Sequence, residues 1–152
     1  MKEHRCDCLI CPHFLIKKLD LNAIIPTRGS KDAAGLDLYA LESVHVGTGF
    51  ATLVRTGIAL SIPKGFYGAV CSRSGNVAKL GLVVANQPGI IDSDYRGEIS
   101  VLLTSLSCSQ LVKEGQRIAQ LVIQPYSNVN PIEVVELDNT DRDGNGFGST
   151  GS

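Results

Sequence analysis

Ten residues near the middle of the chain carry the most suggestive chemistry: Gly89-Ile90-Ile91-Asp92-Ser93-Asp94-Tyr95-Arg96-Gly97-Glu98. Apolar β-branched residues run straight into an acidic pair, then a Tyr, then Arg-Gly-Glu. A carboxylate delivered by the end of a buried strand to the mouth of a pocket can act as general base on a water. A Tyr three residues later can offer a flat face to a ligand. The same decamer also suits a strand-to-turn junction, where Asp and Gly recur for backbone reasons, and taken alone it favours that reading. A second suggestive stretch is residues 141–151, which combine Arg142, the ring of Phe147, small hydroxyls and bare glycine amides. Those parts suit an arm that closes over a phosphorylated aromatic ligand; the plain alternative is a disordered C-terminus. Gly146-x-Gly148-x-x-Gly151 matches a dinucleotide fingerprint but lacks the strand before it and the helix after it. Asp141-x-Asp143-x-Asn145-Gly146 resembles the opening of an EF-hand loop, yet Ser152 stands where the closing Glu belongs.

The elements that must position these groups read as β-structure. Short apolar stretches alternate with Gly, Pro and Ser from residue 14 onward. The pattern predicts strands at 15–19, 35–40, 43–46, 51–55, 57–62, 68–71, 82–85, 90–91, 98–103, 110–112, 119–125 and 132–135. Only 74–80 suggests a brief helix, and no segment keeps helical periodicity for three turns. Many short strands with frequent turns argue an all-β fold, a sandwich or barrel of jelly-roll type. The length of 152 residues suits one domain with a real core. The net charge of −1 removes the electrostatic argument for direct nucleic acid binding, so any phosphate must be met by a local cluster. No apolar run is long enough to span a bilayer. The first residues do not read as a signal peptide, and a soluble intracellular protein, cytoplasmic or nuclear, is the expectation.

Five cysteines make an odd count, and three crowd the front as Cys6-x-Cys8-x-x-Cys11, with His13 two residues on. A small zinc site is one reading. Structural zinc sites usually draw on two separated knuckles, so a mobile extension over 1–13 is favoured. Residues 14–152 then form a single domain with a C-terminal arm at 138–152. Cys71 and Cys108 are expected to be free thiols, buried in apolar runs.

Taken together, five separated segments resemble the five motifs of the trimeric dUTPase family. They are Ala33-Ala34-Gly35-Leu36-Asp37-Leu38-Tyr39-Ala40, Ser72-Arg73-Ser74-Gly75-Asn76-Val77-Ala78-Lys79, the decamer 89–98, Gly115-Gln116-Arg117-Ile118-Ala119-Gln120-Leu121, and 142–151. The resemblance implies a β jelly roll that hydrolyses dUTP to dUMP and pyrophosphate, limiting uracil in DNA and supplying dUMP for thymidylate synthesis. It implies Mg²⁺ bound mainly through the triphosphate. It also implies a homotrimer in which each active site collects segments from all three subunits.

By the same resemblance, Asp92 is the carboxylate that activates water for attack at the α-phosphorus. Arg73, Ser74 and Gly75 bind phosphate, with a planar fork of donors, a hydroxyl and an approachable backbone. Gln120 is a further phosphate contact, and Arg142 with the Gly148 and Ser149 amides engages the distal phosphates. Phe147 stacks on uracil as the arm closes. Residues 82–91 resemble a uracil-reading hairpin with Asn86 at its turn and the main chain at Ile90 and Ile91 on the base edge. Tyr95 beneath the sugar leaves no room for a 2′-hydroxyl. Asp37 is implied to meet the magnesium through water; a turn-capping Asp after Gly35 is the alternative.

Three departures stand out. Ser72 replaces the usual Pro of the second motif, Asn76-Val77 replace Leu-Ala, and Gln87-Pro88 are uncommon in the hairpin turn. Two rival readings share the fold, a dCTP deaminase and a non-catalytic interaction module. Asp92 with a complete fifth motif argues against the first. The presence of Asp92, Arg73 and Arg142 argues against the second.

Overall fold

The computed structural model describes residues 14–140 and 143–144. The 1–13 extension and Arg142, Phe147, Gly148 and Ser149 lie outside the described residues. Eleven strands and one helix follow in chain order: β1 (Leu15–Lys18), β2 (Thr27–Arg28), β3 (Leu36–Tyr39), β4 (Val44–Val46), β5 (Thr52–Ser61), β6 (Phe66–Cys71), α1 (Ser74–Leu80), β7 (Leu82–Val84), β8 (Gly89–Ile91), β9 (Glu98–Ser105), β10 (Gln110–Val112) and β11 (Arg117–Pro125). They form a four-stranded sheet in the order β1-β5-β9-β7, a five-stranded sheet in the order β2-β3-β11-β6-β8, and a β10-β4 pair. The all-β expectation holds, and the one expected helix sits at Ser74–Leu80.

The core follows from two-residue alternation. Along β9 the side chains alternate strictly, with Ile99, Val101 and Leu103 turned inward and Ser100, Leu102 and Thr104 partly open. Leu38 of β3 and Ile118 and Leu121 of β11 meet them from the five-stranded sheet within one apolar cluster.

Several expectations are corrected. Residues 51–55 and 57–62 are one strand, β5, because Gly57 makes a bulge where a break was read. At φ +70° Gly57 lets the chain kink without leaving the sheet. The Glu98 carboxylate pins the bulge, accepting from the Gly57 N–H at 2.8 Å and from Arg55 Nε at 3.1 Å. The same hydrogen bond and charge push the Arg55 pKa further above its usual value. Residues 132–135 form no strand; Ile132 and Val135 lie bare to solvent with no partner strand among the described residues. Residues 82–91 are not a hairpin either. β7 pairs with β9 and β8 with β6, so the connection is a corner that passes from one sheet to the other. Cys108 is exposed and Cys71 half-buried, both as free thiols, so neither is a buried core residue.

A Cβ at Gly57 would lie 2.9 Å from the Ala23 Cβ, whereas one at Gly49, also at positive φ, would meet nothing within 4 Å. Urea unfolding should therefore show Gly49→Ala losing about 1 kcal/mol from the backbone alone. Gly57→Ala should lose about 2–4 kcal/mol because overpacking adds to that strain. Equal losses would show that the bulge carries no steric constraint.

Candidate active site

Two cavities hold the expected site residues that the structure describes, and they share none of them. The first, of about 390 Å³, is lined by Gly35, Asp37, Arg73, Ser74, Gly75, Arg117 and Gln120 among others. Asp37 on β3 is its organising group. Arg73 Nε donates to Asp37 Oδ1 at 2.7 Å, and Arg117 Nη1 to Asp37 Oδ2 at 3.2 Å. The carboxylate is nearly buried between two guanidiniums, so the turn-capping alternative fails: Asp37 lies within a strand and caps nothing. Arg73 is held a second way, its Nη1 lying 3.5 Å from Asn76 Oδ1. Asn76 is itself buried on α1, with its amide donating to the Arg117 carbonyl at 2.8 Å. The departure at Asn76 thus ties the helix to β11 and preserves the loop before it.

Gly75 opens on empty space, since a Cβ there would meet nothing within 4 Å. Ser74 and Gly75 begin α1, and no side chain caps that end. The Asn76 N–H already donates to the Arg73 carbonyl at 2.9 Å, whereas the amides of Ser74 and Gly75 have no partner within the helix, so this corner of the cavity presents those two donors. Gln120 spans to the same loop, its Nε2 donating to the Ser72 carbonyl at 3.1 Å.

Arg117 was not singled out from the sequence, because strict alternation along a strand puts residues 117 and 120 on opposite faces. The register shows why both line this cavity. Arg117 faces Tyr39 and Ala119 faces Leu38, leaving Ile118 as an extra residue in a β-bulge. That one-residue insertion turns the guanidinium to the Gln120 side. The signal available in sequence is a second cation three residues before the Gln, inside the fourth motif.

The second cavity, of about 330 Å³, lies where the sheets part. It is lined by Leu53, Ser100 and Leu102 of one sheet and by Asn86, Ile90, Ile91, Asp92 and Tyr95 from the corner, β8 and the following turn. β8 is an edge strand, so alternate main-chain N–H and C=O groups face away from β6, free to pair with a planar ligand. Asp92 is exposed at the end of β8, and its carbonyl accepts from the Tyr95 N–H at 3.2 Å to close a turn. The Tyr95 ring lies across Gly97, where any Cβ would collide with the phenol. Its hydroxyl donates to the Glu98 carbonyl at 3.2 Å. Arg96 fastens the turn through the Ser93 carbonyl at 2.7 Å. Asp, Tyr, Gly and Glu of the decamer are thus one folded unit.

Within one chain these cavities face different ways along the same strand pair. Ile91 stands opposite Gly68 and Gly89 opposite Val70. Asp92 therefore continues past Gly68 in one direction, while Arg73 lies five residues beyond Gly68 in the other. Five extended residues span on the order of 15 Å. The structure brings Asn86, Ile90, Ile91, Asp92 and Tyr95 together, and Asp37, Arg73, Ser74, Gly75 and Gln120 together. It does not join the two groups.

Residues 21–151 match the family model described as dUTPase. The deoxyuridine 5'-triphosphate nucleotidohydrolase of Hydrogenobaculum sp. (strain Y04AAS1) is 46% identical over 139 residues, 90% of this chain and 96% of that protein. The enzyme of the same name from Nautilia profundicola is 47% identical over 137 residues, again 90% of this chain and 96% of that protein. Among solved structures, the Staphylococcus bacteriophage 80alpha dUTPase with dUPNHPP superposes with a TM-score of 0.83 at 30% identity, covering 93% of this chain and all of that one. A mutant dUTPase of phage phi11 of S. aureus, described with a coordinated structural Mg(II) ion, superposes with a TM-score of 0.74 at 27% identity, covering 82% of this chain and 98% of that one. With residues of its first four motifs lining two cavities and its likeness running along nearly the whole sequence, this chain belongs to the dUTPase family.

Proposed function

We propose that the protein hydrolyses dUTP to dUMP and pyrophosphate in sites shared between subunits of a homotrimer. The observation that carries this reading is the separation of Asp92 from Arg73 within one chain. A water activated by Asp92 must reach an α-phosphorus whose phosphate chain is held by Arg73, Ser74, Gly75 and Gln120. A second copy that sets its first cavity against this chain's second cavity supplies both halves at once. The exposed stretch after β11 supports the same assembly: Val129, Ile132, Val135 and Leu137 lie bare in this chain, a load of apolar surface suited to a neighbouring subunit. It leads to the arm whose Arg142, Phe147, Gly148 and Ser149 would close the site.

In the assembled site the uracil enters between Leu53, Leu102 and β8. Main-chain groups at Ile90 and Ile91 pair with its edge, and Asn86 holds the corner. A slot built to fixed donors and acceptors rejects cytosine, and its walls reject the thymine methyl by overpacking. Tyr95, locked over Gly97, supports the deoxyribose. Asp92 takes a proton from the water as the water's oxygen bonds to the α-phosphorus, and pyrophosphate leaves with the electron pair of the broken bond. Arg73, drawn from Asp37 or shared with it, and Arg117 meet the developing charge.

No group of three or more His, Cys, Asp or Glu side chains is placed to hold a metal among the described residues. Both Asp37 oxygens already accept from guanidiniums. This donor set fits Mg²⁺ that arrives on the triphosphate and keeps its water shell, with Asp37 reached through water. When bound, the ion would offset phosphate charge and fix the chain of phosphates for in-line attack.

Pyrophosphate release with Mg²⁺ should be confined to dUTP when dTTP, dCTP and UTP are tested beside it. Asp92→Asn should lower kcat by about 10²–10⁴ without changing the fold. Ammonia from dCTP would identify a deaminase, and silence toward dUTP from a well-folded trimer an interaction module.

Shared sites also predict complementation. Asp92→Asn and Arg73→Ala proteins, each inactive, should regain about a quarter of wild-type activity when co-assembled at equal amounts, since each site draws the two groups from different subunits. No recovery in demonstrably mixed trimers would place both groups in one chain.

A further inference from the structure

Two of the sequence departures, Ser72 and Gln87, meet in space. The Ser72 N–H donates to Gln87 Oε1 at 2.6 Å, across fifteen residues of chain. The Ser72 hydroxyl accepts the Val84 N–H at 2.8 Å. Its carbonyl accepts from Gln120 Nε2 at 3.1 Å. All three polar groups of Ser72 are thereby spent on joining other segments. Val84 is buried on an edge strand, so its N–H has no further strand to pair with and needs such an acceptor. A proline at 72 could make neither of the first two bonds, having no N–H and no hydroxyl.

We propose that Gln87 is a positioning residue for phosphate binding: from the base-reading corner, it holds the Arg73-Ser74-Gly75 loop in place through the Ser72 backbone. The side chain of Gln87 lines neither cavity, so it acts through Ser72 and touches no substrate. Ser72 directly precedes Arg73, and an amide fixed at 72 sets the path of the chain that enters α1. The loop is also held by the guanidinium contacts to Asp37 and Asn76 and by the Val84 and Gln120 bonds to Ser72. The guanidinium and Gln120 contacts are the ones a triphosphate would compete for, whereas the Gln87 and Val84 bonds survive ligand entry. Because the corner and the loop of one chain serve different cavities, this bond links the nucleoside slot of one site to the phosphate loop of the next. The inference rests on the assignment of Arg73, Ser74 and Gly75 to phosphate.

The test measures binding of the non-hydrolysable α,β-imido-dUTP and of 2′-deoxyuridine to the assembled protein with Mg²⁺. Loss of one hydrogen bond corresponds to about a three- to tenfold change, so Gln87→Ala should weaken α,β-imido-dUTP by about that factor. Deoxyuridine, which carries no phosphate, should change by less than about twofold. Gln87→Glu, which keeps an acceptor for the Ser72 N–H, should restore the triphosphate affinity. On the Ser72→Pro background, where the N–H that Gln87 accepts is gone, Gln87→Ala should add no further loss. Ser72→Pro also removes the hydroxyl, so if that protein does not fold, the comparison of Gln87→Ala with Gln87→Glu decides. Equal weakening of both ligands would make Gln87 a nucleoside-slot residue, and unchanged triphosphate affinity would make the bond idle; either overturns the proposal. Arg73→Ala is the control. If it leaves α,β-imido-dUTP binding intact, the phosphate assignment itself fails; if it weakens binding while Gln87→Ala does not, only the positioning role fails.

Discussion

The Asp37 carboxylate, nearly buried and held between Arg73 and Arg117, is the interaction that makes the first cavity possible. Two guanidiniums facing one cavity repel each other, and partial burial strengthens that repulsion. One fixed carboxylate between them allows both to point inward before any ligand arrives. It also joins three distant segments of sequence: β3, the loop after β6, and the start of β11. An ion pair of this kind contributes little net stability, because desolvation offsets attraction. Its value is geometric. It holds a planar fork of donors at the place where a polyanion would otherwise have to order it.

The second constraint is distance. β6 and β8 are paired, so Asp92 and Arg73 are carried toward opposite ends of one ladder. No side-chain rotation closes a gap on the order of 15 Å. That gap is the ground of the proposal that the two groups meet across copies of the chain. The bare apolar stretch after β11 has the same logic. Its valines, isoleucine and leucine would be a liability on a monomer, and residues 132–135 are rich in β-branched residues with no strand beside them among the described residues. A short apolar run of that kind reads as a strand in sequence. Pairing is a property of two segments, and the described residues supply only one.

How much was legible in the sequence divides along this line. The all-β class, α1 and most strands were legible because period-two patterning and turn residues are local. The grouping of Asp92 with Tyr95, and of Arg73 with Ser74 and Gly75, was legible because each set is contiguous. What escaped depended on register. β2 is two residues long, with no apolar residue, and exists because β3 offers an edge. The corner at 82–91 was expected to be a hairpin from the family resemblance. Nothing local records that its two arms pair with different sheets. Arg117 was overlooked because one inserted residue reverses the face on which a strand side chain lies.

Those irregularities are where the fold meets the chemistry. The bulge at Ile118 brings a second cation beside Gln120. The bulge at Gly57 is clamped by Glu98, which also lines the second cavity and receives the Tyr95 hydroxyl on its carbonyl. The inward residues of β9 alternate undisturbed, whereas β11 buries Ile118 and Ala119 in succession at its bulge. Both departures from regularity cost backbone pairing, and the one at Gly57 requires glycine at φ +70°. Their persistence is explained by the side chains they aim rather than by the core they cover. The Ser72–Gln87 bond follows the same pattern: two residues unusual for their motifs become intelligible once each is seen as the other's partner.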